Sequence, residues 1–246
     1  MFNFTKKINA GNSLFAFSIT ALGLLIAPSS AQAMNLVNDA SFTDTDFNSL
    51  INYGEFSELF VAEGRIGDRA AQAQKELKIN GDVVEGAKVA TETNFGWVNG
   101  EEYDFSLVYN GSTVDYVLGG IPLSTQKFSG AVNSIFFRTS AGANTTTSLT
   151  NLVFNGDAIG NLTSSDSSSS DIDYLQLNDI SSPFTITGKA SISWEGTAPR
   201  GSLNAFQIKV GNSPATSVPE PGSIGAILVT GLTGFGLSKK KKKDET

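Results

Sequence analysis

The chain has 246 residues, a formal net charge of −7, and neither cysteine nor histidine. Those two absences exclude disulfides, thiolate metal sites, His-ligated zinc and Ser-His-Asp hydrolysis, and they remove the commonest general base. The acidic balance disfavours nucleic acid and anionic lipid as partners of the body of the chain.

Lys6 and Lys7 form a positive start, residues 14–27 are an apolar run, and Pro28 breaks it. Ala31-Gln32-Ala33 then places small residues at cleavage positions, which predicts a signal peptide over residues 1–33, removed after Ala33 by signal peptidase. The body, beginning at Met34, is expected outside the cytoplasm. Phe47, Leu50 and Ile51 fall at helical spacing behind Asp44 and Thr45, so a short helix capped by one of those two is expected over residues 44–53.

From Phe56 the hydrophobic period shifts toward two, with Leu59 and Val61 alternating with Phe60 and Ala62, and Leu77 and Ile79 alternating with Lys78 and Asn80. Asn80-Gly81-Asp82 is a turn signal. The clearest hairpin follows: Tyr103, Phe105, Leu107 and Tyr109 share one face, Asn110-Gly111 predicts a type I′ turn, and Val114, Tyr116 and Leu118 share the return face. Further strands are expected at residues 134–139, 149–155, 174–178, 184–194 and 205–210. In the fourth of these, Phe184, Ile186, Ala190, Ile192 and Trp194 have one parity and should pack inward. Residues 164–171 are serine-rich with aspartates and read as an exposed loop.

Short strands separated by Gly, Asn, Ser and Pro predict an all-β protein, an antiparallel β-sandwich of jelly-roll-like form, over residues 34–211. Residues 212–217, with Pro214, read as a linker. Two of the 17 basic residues lie in the leader and five in the tail, and three of the 24 acidic residues lie in the tail. That leaves ten basic against 21 acidic residues between them, so the body alone carries about −11. With no disulfides, such a body has to be held by its core, which this length can bury.

The last segment, residues 218–246, has three parts. Val218-Pro219-Glu220-Pro221 stays extended because proline fixes φ and removes backbone donors. Residues 222–238 carry no charge and span roughly 26 Å as a helix, slightly short of a roughly 30 Å hydrocarbon core. The cluster Lys239, Lys240, Lys241, Lys242 and Lys243 can snorkel to make up that length, and it sets the topology by remaining cytoplasmic. A transmembrane helix in the inner membrane is expected.

This ordered combination resembles the PEP-CTERM sorting signal, which in Gram-negative bacteria that make exopolysaccharide is read by an exosortase, a membrane transpeptidase-like enzyme. The body has its own resemblance, carried by residues 58–67 (Glu-Leu-Phe-Val-Ala-Glu-Gly-Arg-Ile-Gly), 97–100 (Trp-Val-Asn-Gly), 104–111, 173–177 and 205–210. These phrases look like the choice-of-anchor domains, type W, over about residues 35–211. That family name describes surface anchoring and supplies no activity or site residues.

Glycosidases need two carboxylates across a cleft. Glu101 and Glu102 are adjacent and would point to opposite faces of a strand, and Glu58 and Glu63 have opposite parity, although Glu195 can approach either in space. No catalytic residues are assigned. Asp166, Asp171, Asp173 and Asp179 can offer oxygen ligands to calcium but lack the spacing and glycine of a defined loop, so a solvated acidic loop is the plainer reading and no cofactor is expected. Among the aromatics, Tyr103, Tyr109, Tyr116 and Trp194 have core parity, which leaves Trp97, beside Asn99-Gly100, as the one weak candidate to stack on a sugar. Asn110, Asn144 and Asn161 begin Asn-x-Ser/Thr triplets and are read only as turns. The expectation is an exported, exosortase-sorted protein of the cell surface or extracellular matrix, not an enzyme, with a structural or adhesive role associated with exopolysaccharide. A carbohydrate-binding module and an extracellular polysaccharide hydrolase are the alternatives.

Overall fold

The period-two segments form two antiparallel sheets in a computed structural model that describes residues 34–66, 75–81, 88–199 and 203–214. In chain order the elements are β1 (Asn35–Val37), α1 (Asp44–Asn52), β2 (Ser57–Ile66), β3 (Lys75–Asn80), β4 (Val89–Asn94), β5 (Glu102–Tyr109) and β6 (Val114–Leu118). There follow β7 (Ile121–Thr125), β8 (Ser134–Ala141), β9 (Thr145–Phe154), β10 (Asp157–Asp166), β11 (Asp171–Asn178), β12 (Phe184–Trp194) and β13 (Asn204–Asn212). One sheet has seven strands in the order β1-β11-β8-β13-β2-β3-β4, and the other has six, β10-β9-β12-β5-β6-β7.

Alternation decides what lies between the sheets. Phe60, Ala62 and Ile66 of β2 and Phe206, Ile208 and Val210 of β13 belong to one buried cluster with Phe105, Leu107 and Tyr109 of β5 and Ile186, Ala190 and Ile192 of β12. Each large apolar side chain removed from water in this way stabilises the fold by about 1.5–3 kcal/mol before entropy is counted. The antiparallel sandwich core and the inward parity of β5, β6 and β12 agree with the sequence pattern.

The helix is capped one residue earlier than expected. Thr43 Oγ1 accepts from the Asp46 amide, while the Asp46 carboxylate accepts from the Thr43 amide at 2.9 Å, so Thr43 and not Asp44 or Thr45 forms the capping box. Asp44 is thereby free to act elsewhere. Its carboxylate accepts from Arg138 Nε and Nη2, both at 2.7 Å, and from the Tyr174 hydroxyl at 2.6 Å. These bonds clamp α1 onto the outward face of the seven-stranded sheet, over a second apolar cluster of Phe47, Phe56, Phe136 and Tyr174.

Three further expectations are corrected. The β5–β6 turn centres on Gly111-Ser112, since the Asn110 amide donates to the Thr113 carbonyl and the Asn110 side chain accepts from the Ser112 and Thr113 amides. Gly111 has φ +96° and Asn110 does not have positive φ, which is the placement of a II′ rather than a I′ turn. The serine-rich stretch is half strand: β10 runs to Asp166 and leaves only residues 167–170 as loop. Asn161 lies within β10 beside a register shift, whereas Asn144 adopts φ +57° at a turn. The Asp82 part of the Asn80-Gly81-Asp82 signal lies outside the described residues.

Candidate functional site

The ends of β10 and β12 and the start of β9 converge on a pocket of about 350 Å³. Asn144, Asp166, Ser167, Ser193, Trp194 and Glu195 are among the residues that line it. Backbone bonds fix its rim: the Asn144 amide donates to the Asp166 carbonyl at 2.7 Å, and the Glu195 amide donates to the Asn144 carbonyl at 3.0 Å. Trp194 is half-buried and packs on the main core from the strand end. Its backbone is held by Asn99, whose Oδ1 accepts from the Trp194 amide at 2.8 Å and whose Nδ2 donates to the Trp194 carbonyl at 2.9 Å.

Asp166 faces a ready set of donors. Its Oδ1 accepts from the amides of Ser168 (2.6 Å) and Ser169 (2.9 Å), and its Oδ2 from the Ser169 hydroxyl (2.8 Å). Those bonds, led by the Ser168 and Ser169 amides, hold its carboxyl at about 2, so it is ionised at any ordinary pH. The pocket therefore presents an indole, a fixed anion, the exposed Glu195 carboxylate and several small hydroxyls. That set suits hydrogen-bonded recognition of a polyhydroxylated ligand.

The other aspartates proposed from sequence stand apart. Asp171 accepts from the Ser165 amide at 2.8 Å, and Asp173 from the Ser164 hydroxyl at 2.8 Å. Burial raises the Asp173 carboxyl, with the nearby Asp171 carboxylate adding to the effect against the Ser164 hydrogen bond. Asp179 adopts φ +59°. Among the described residues no three acidic side chains gather as a metal site.

Glu58 and Glu63 share a face, contrary to their sequence parity. The partners of β13 jump from Phe60 opposite Val210 to Glu58 opposite Gly211, so Leu59 is the extra residue of a bulge that turns Glu58 over. Both then point outward from the seven-stranded sheet, where Lys209 Nζ lies 3.3 Å from Glu58 and Gln207 Nε2 donates to Glu63 at 2.7 Å. Glu63 has no exposed side-chain surface and accepts from four donors: Arg65 and Gln207 on one oxygen, Lys78 (3.2 Å) and Asn80 (3.0 Å) on the other. Burial works to raise its pKa, but the charges of Arg65 and Lys78 and the hydrogen bonds outweigh it and hold the carboxyl below the ordinary glutamate value. Glu101 and Glu102 are exposed, Glu102 lying 3.9 Å from Lys189.

Trp97 does not offer a sugar platform in this structure. It is 3% exposed, packed edge-to-face with Phe95, Tyr103 and Phe206, and its indole N–H donates to the Arg65 carbonyl at 3.3 Å. The tryptophan at the surface pocket is Trp194, which parity alone had assigned to the core. Ala31, Ala33, Val218, Pro219, Glu220, Pro221 and the five terminal lysines lie outside the described residues. Among the described residues no helix is long and apolar enough to cross a membrane. No protein-family model matches the chain, and a search of curated proteins finds no match.

Proposed function

We propose that this chain is an exported protein whose C-terminal segment is a sorting signal, and whose jelly-roll-like body serves a non-catalytic structural or adhesive role at the cell surface or in the extracellular matrix. Signal peptidase removes residues 1–33. Residues 222–238 hold the tail in the inner membrane, with Lys239–Lys243 on the cytoplasmic side, until an exosortase acts near Pro219–Pro221. The observation that carries this reading is the ordered set of leader, proline-flanked acidic residue, apolar segment and lysine cluster around a body without cysteine.

The exit of the body suits an anchor. Strand β13 lies between β8 and β2 inside the seven-stranded sheet, so a pull on the tail is shared by two hydrogen-bonded ladders. Asn133 adds a two-bond staple just beyond it, with Nδ2 donating to the Ser213 carbonyl and Oδ1 accepting from the Ser213 amide, both at 2.8 Å.

Replacing Pro219, Glu220 and Pro221 together by alanine tests the proposal, because the apolar segment and lysines stay intact and membrane insertion is preserved. The variant should lose its leader yet accumulate in the inner membrane with the tail attached. Normal release to the surface would reduce the tail to a plain membrane anchor. Carbohydrate binding is a second reading, favoured by the Trp194 pocket.

A further inference from the structure

We propose that the outward face of the six-stranded sheet, together with the Trp194 pocket at its end, binds a strand of neutral polysaccharide. This rests on the carbohydrate-binding reading and supplies its surface and ligand class; it does not depend on how the chain is delivered.

The strand registers lay the outward residues in rows. Ser165, Thr146 and Ser193 are opposite one another on β10, β9 and β12, and Thr163, Ser148, Ser191 and Glu102 follow on β10, β9, β12 and β5. Thr150, Lys189 and Asp104 form the next row, and Thr187 and Ser106 continue the face. Rows and columns in such a sheet repeat at about 4.8 Å across strands and about 6.7 Å along them. The first row also lines the Trp194 pocket, so face and pocket are one continuous surface.

Three properties select the occupant. The hydroxyls of Thr146, Ser165, Ser191 and Ser193 have no hydrogen-bond partner among the described residues, nor has the Trp194 indole N–H. A hydroxyl donates and accepts, matching the hydroxyls of a sugar chain at every pH, and short side chains lose little rotamer freedom on binding. The charges on the central strands are Lys189 against Glu102, Asp104 and Asp115, a net negative face that repels an acidic polymer. The outward apolar side chains of β9, β5 and β6 are Val153, Val108 and Val117, all half-buried and none aromatic, which is too little for the aromatic-rich centre of a protein interface. Trp194 supplies the stacking position at one end.

Affinity electrophoresis of the intact chain in detergent, through gels holding mixed-linkage β-glucan, dextran or alginate, tests the assignment. The neutral polymers should retard the protein and alginate should not. Trp194→Ala should weaken retardation by about tenfold, the loss of one stacking partner. Ser193→Arg, which fills the pocket mouth from an outward position away from the core, should do the same with an unchanged circular dichroism spectrum and melting temperature. Retardation unaffected by Ser193→Arg would place the binding elsewhere and overturn the proposal. So would retardation by alginate alone, absence of retardation by both neutral polymers, or self-association abolished by Ser193→Arg, which would make the face an interface between copies. The Pro219/Glu220/Pro221 alanine variant should bind as wild type does, which separates a failure of sorting from a failure of binding.

Discussion

Replacing Glu63 by glutamine should cost the protein about 3 kcal/mol at neutral pH, the low end of the range for breaking a buried ion pair from one side. The substitution keeps shape and volume, so packing is not the cause. All four groups around the carboxylate are donors, two on each oxygen: Arg65 and Gln207 on one, Lys78 and Asn80 on the other. A glutamine amide in either orientation turns an NH₂ group toward one of the two cations, Arg65 or Lys78; the neighbouring Gln207 or Asn80 amide can rotate to accept from it, but a cation can only donate. It also removes the counter-charge shared by Arg65 and Lys78, whose side chains are only 20% and 15% exposed, although Lys78 keeps Glu76 at 2.8 Å. A stability loss near 3 kcal/mol corresponds to a fall in Tm of roughly 6–12 °C for a body of this size. Glu102→Gln is the control, because Glu102 is 52% exposed and 3.9 Å from Lys189, and such surface pairs contribute about 0–1 kcal/mol. The pH dependence has a definite sign. Glu63 is held below its ordinary value of 4.5, so its contribution is complete above that pH and is lost as pH falls through the depressed folded pKa. Urea denaturation of wild type and Glu63→Gln should therefore differ by a constant amount from pH 8 down to about 5 and converge in stronger acid. A Tm loss no larger than that of Glu102→Gln, or a gap that widens on acidification, would refute the reasoning.

Two backbone positions give sharper contrasts. A Cβ on Gly211 would stand 2.1 Å from the Ser57 carbonyl oxygen, a backbone atom fixed by the β2–β13 bulge, so Gly211→Ala should destabilise by about 3 kcal/mol or more through overpacking. Gly96→Ala, where a Cβ meets nothing within 4 Å, should change the urea midpoint little; equal losses would contradict the bulge geometry. Gly111 sits at φ +96°, so Gly111→Val should cost about 1–3 kcal/mol of backbone strain. Ser112→Val, at negative φ beside it, should cost less, and a reversed order in thermal melts would contradict a turn centred on Gly111-Ser112.

What the sequence by itself determined is what local periodicity can encode. Alternation over residues 103–109 and 184–192 assigned those strands and their inward faces correctly, because the side-chain period of a strand is a property of each residue and its second neighbour; at the strand end the same parity left Trp194 only half-buried. Glycine after Asn110 likewise announced the hairpin, though the hydrogen bonds of the Asn110 side chain moved its centre by one residue. Which strands become neighbours is set by closure of the core over long sequence separations, so only the tertiary structure placed β13 between β8 and β2 and left β1, β4, β7 and β10 at the edges. The same cause governs the site. The bulge at Leu59 reversed the parity of Glu58, and contacts with Phe95, Tyr103 and Phe206 buried Trp97. Asn144, Asp166 and Trp194 share a pocket because β9 pairs with both β10 and β12, a register that no single segment contains.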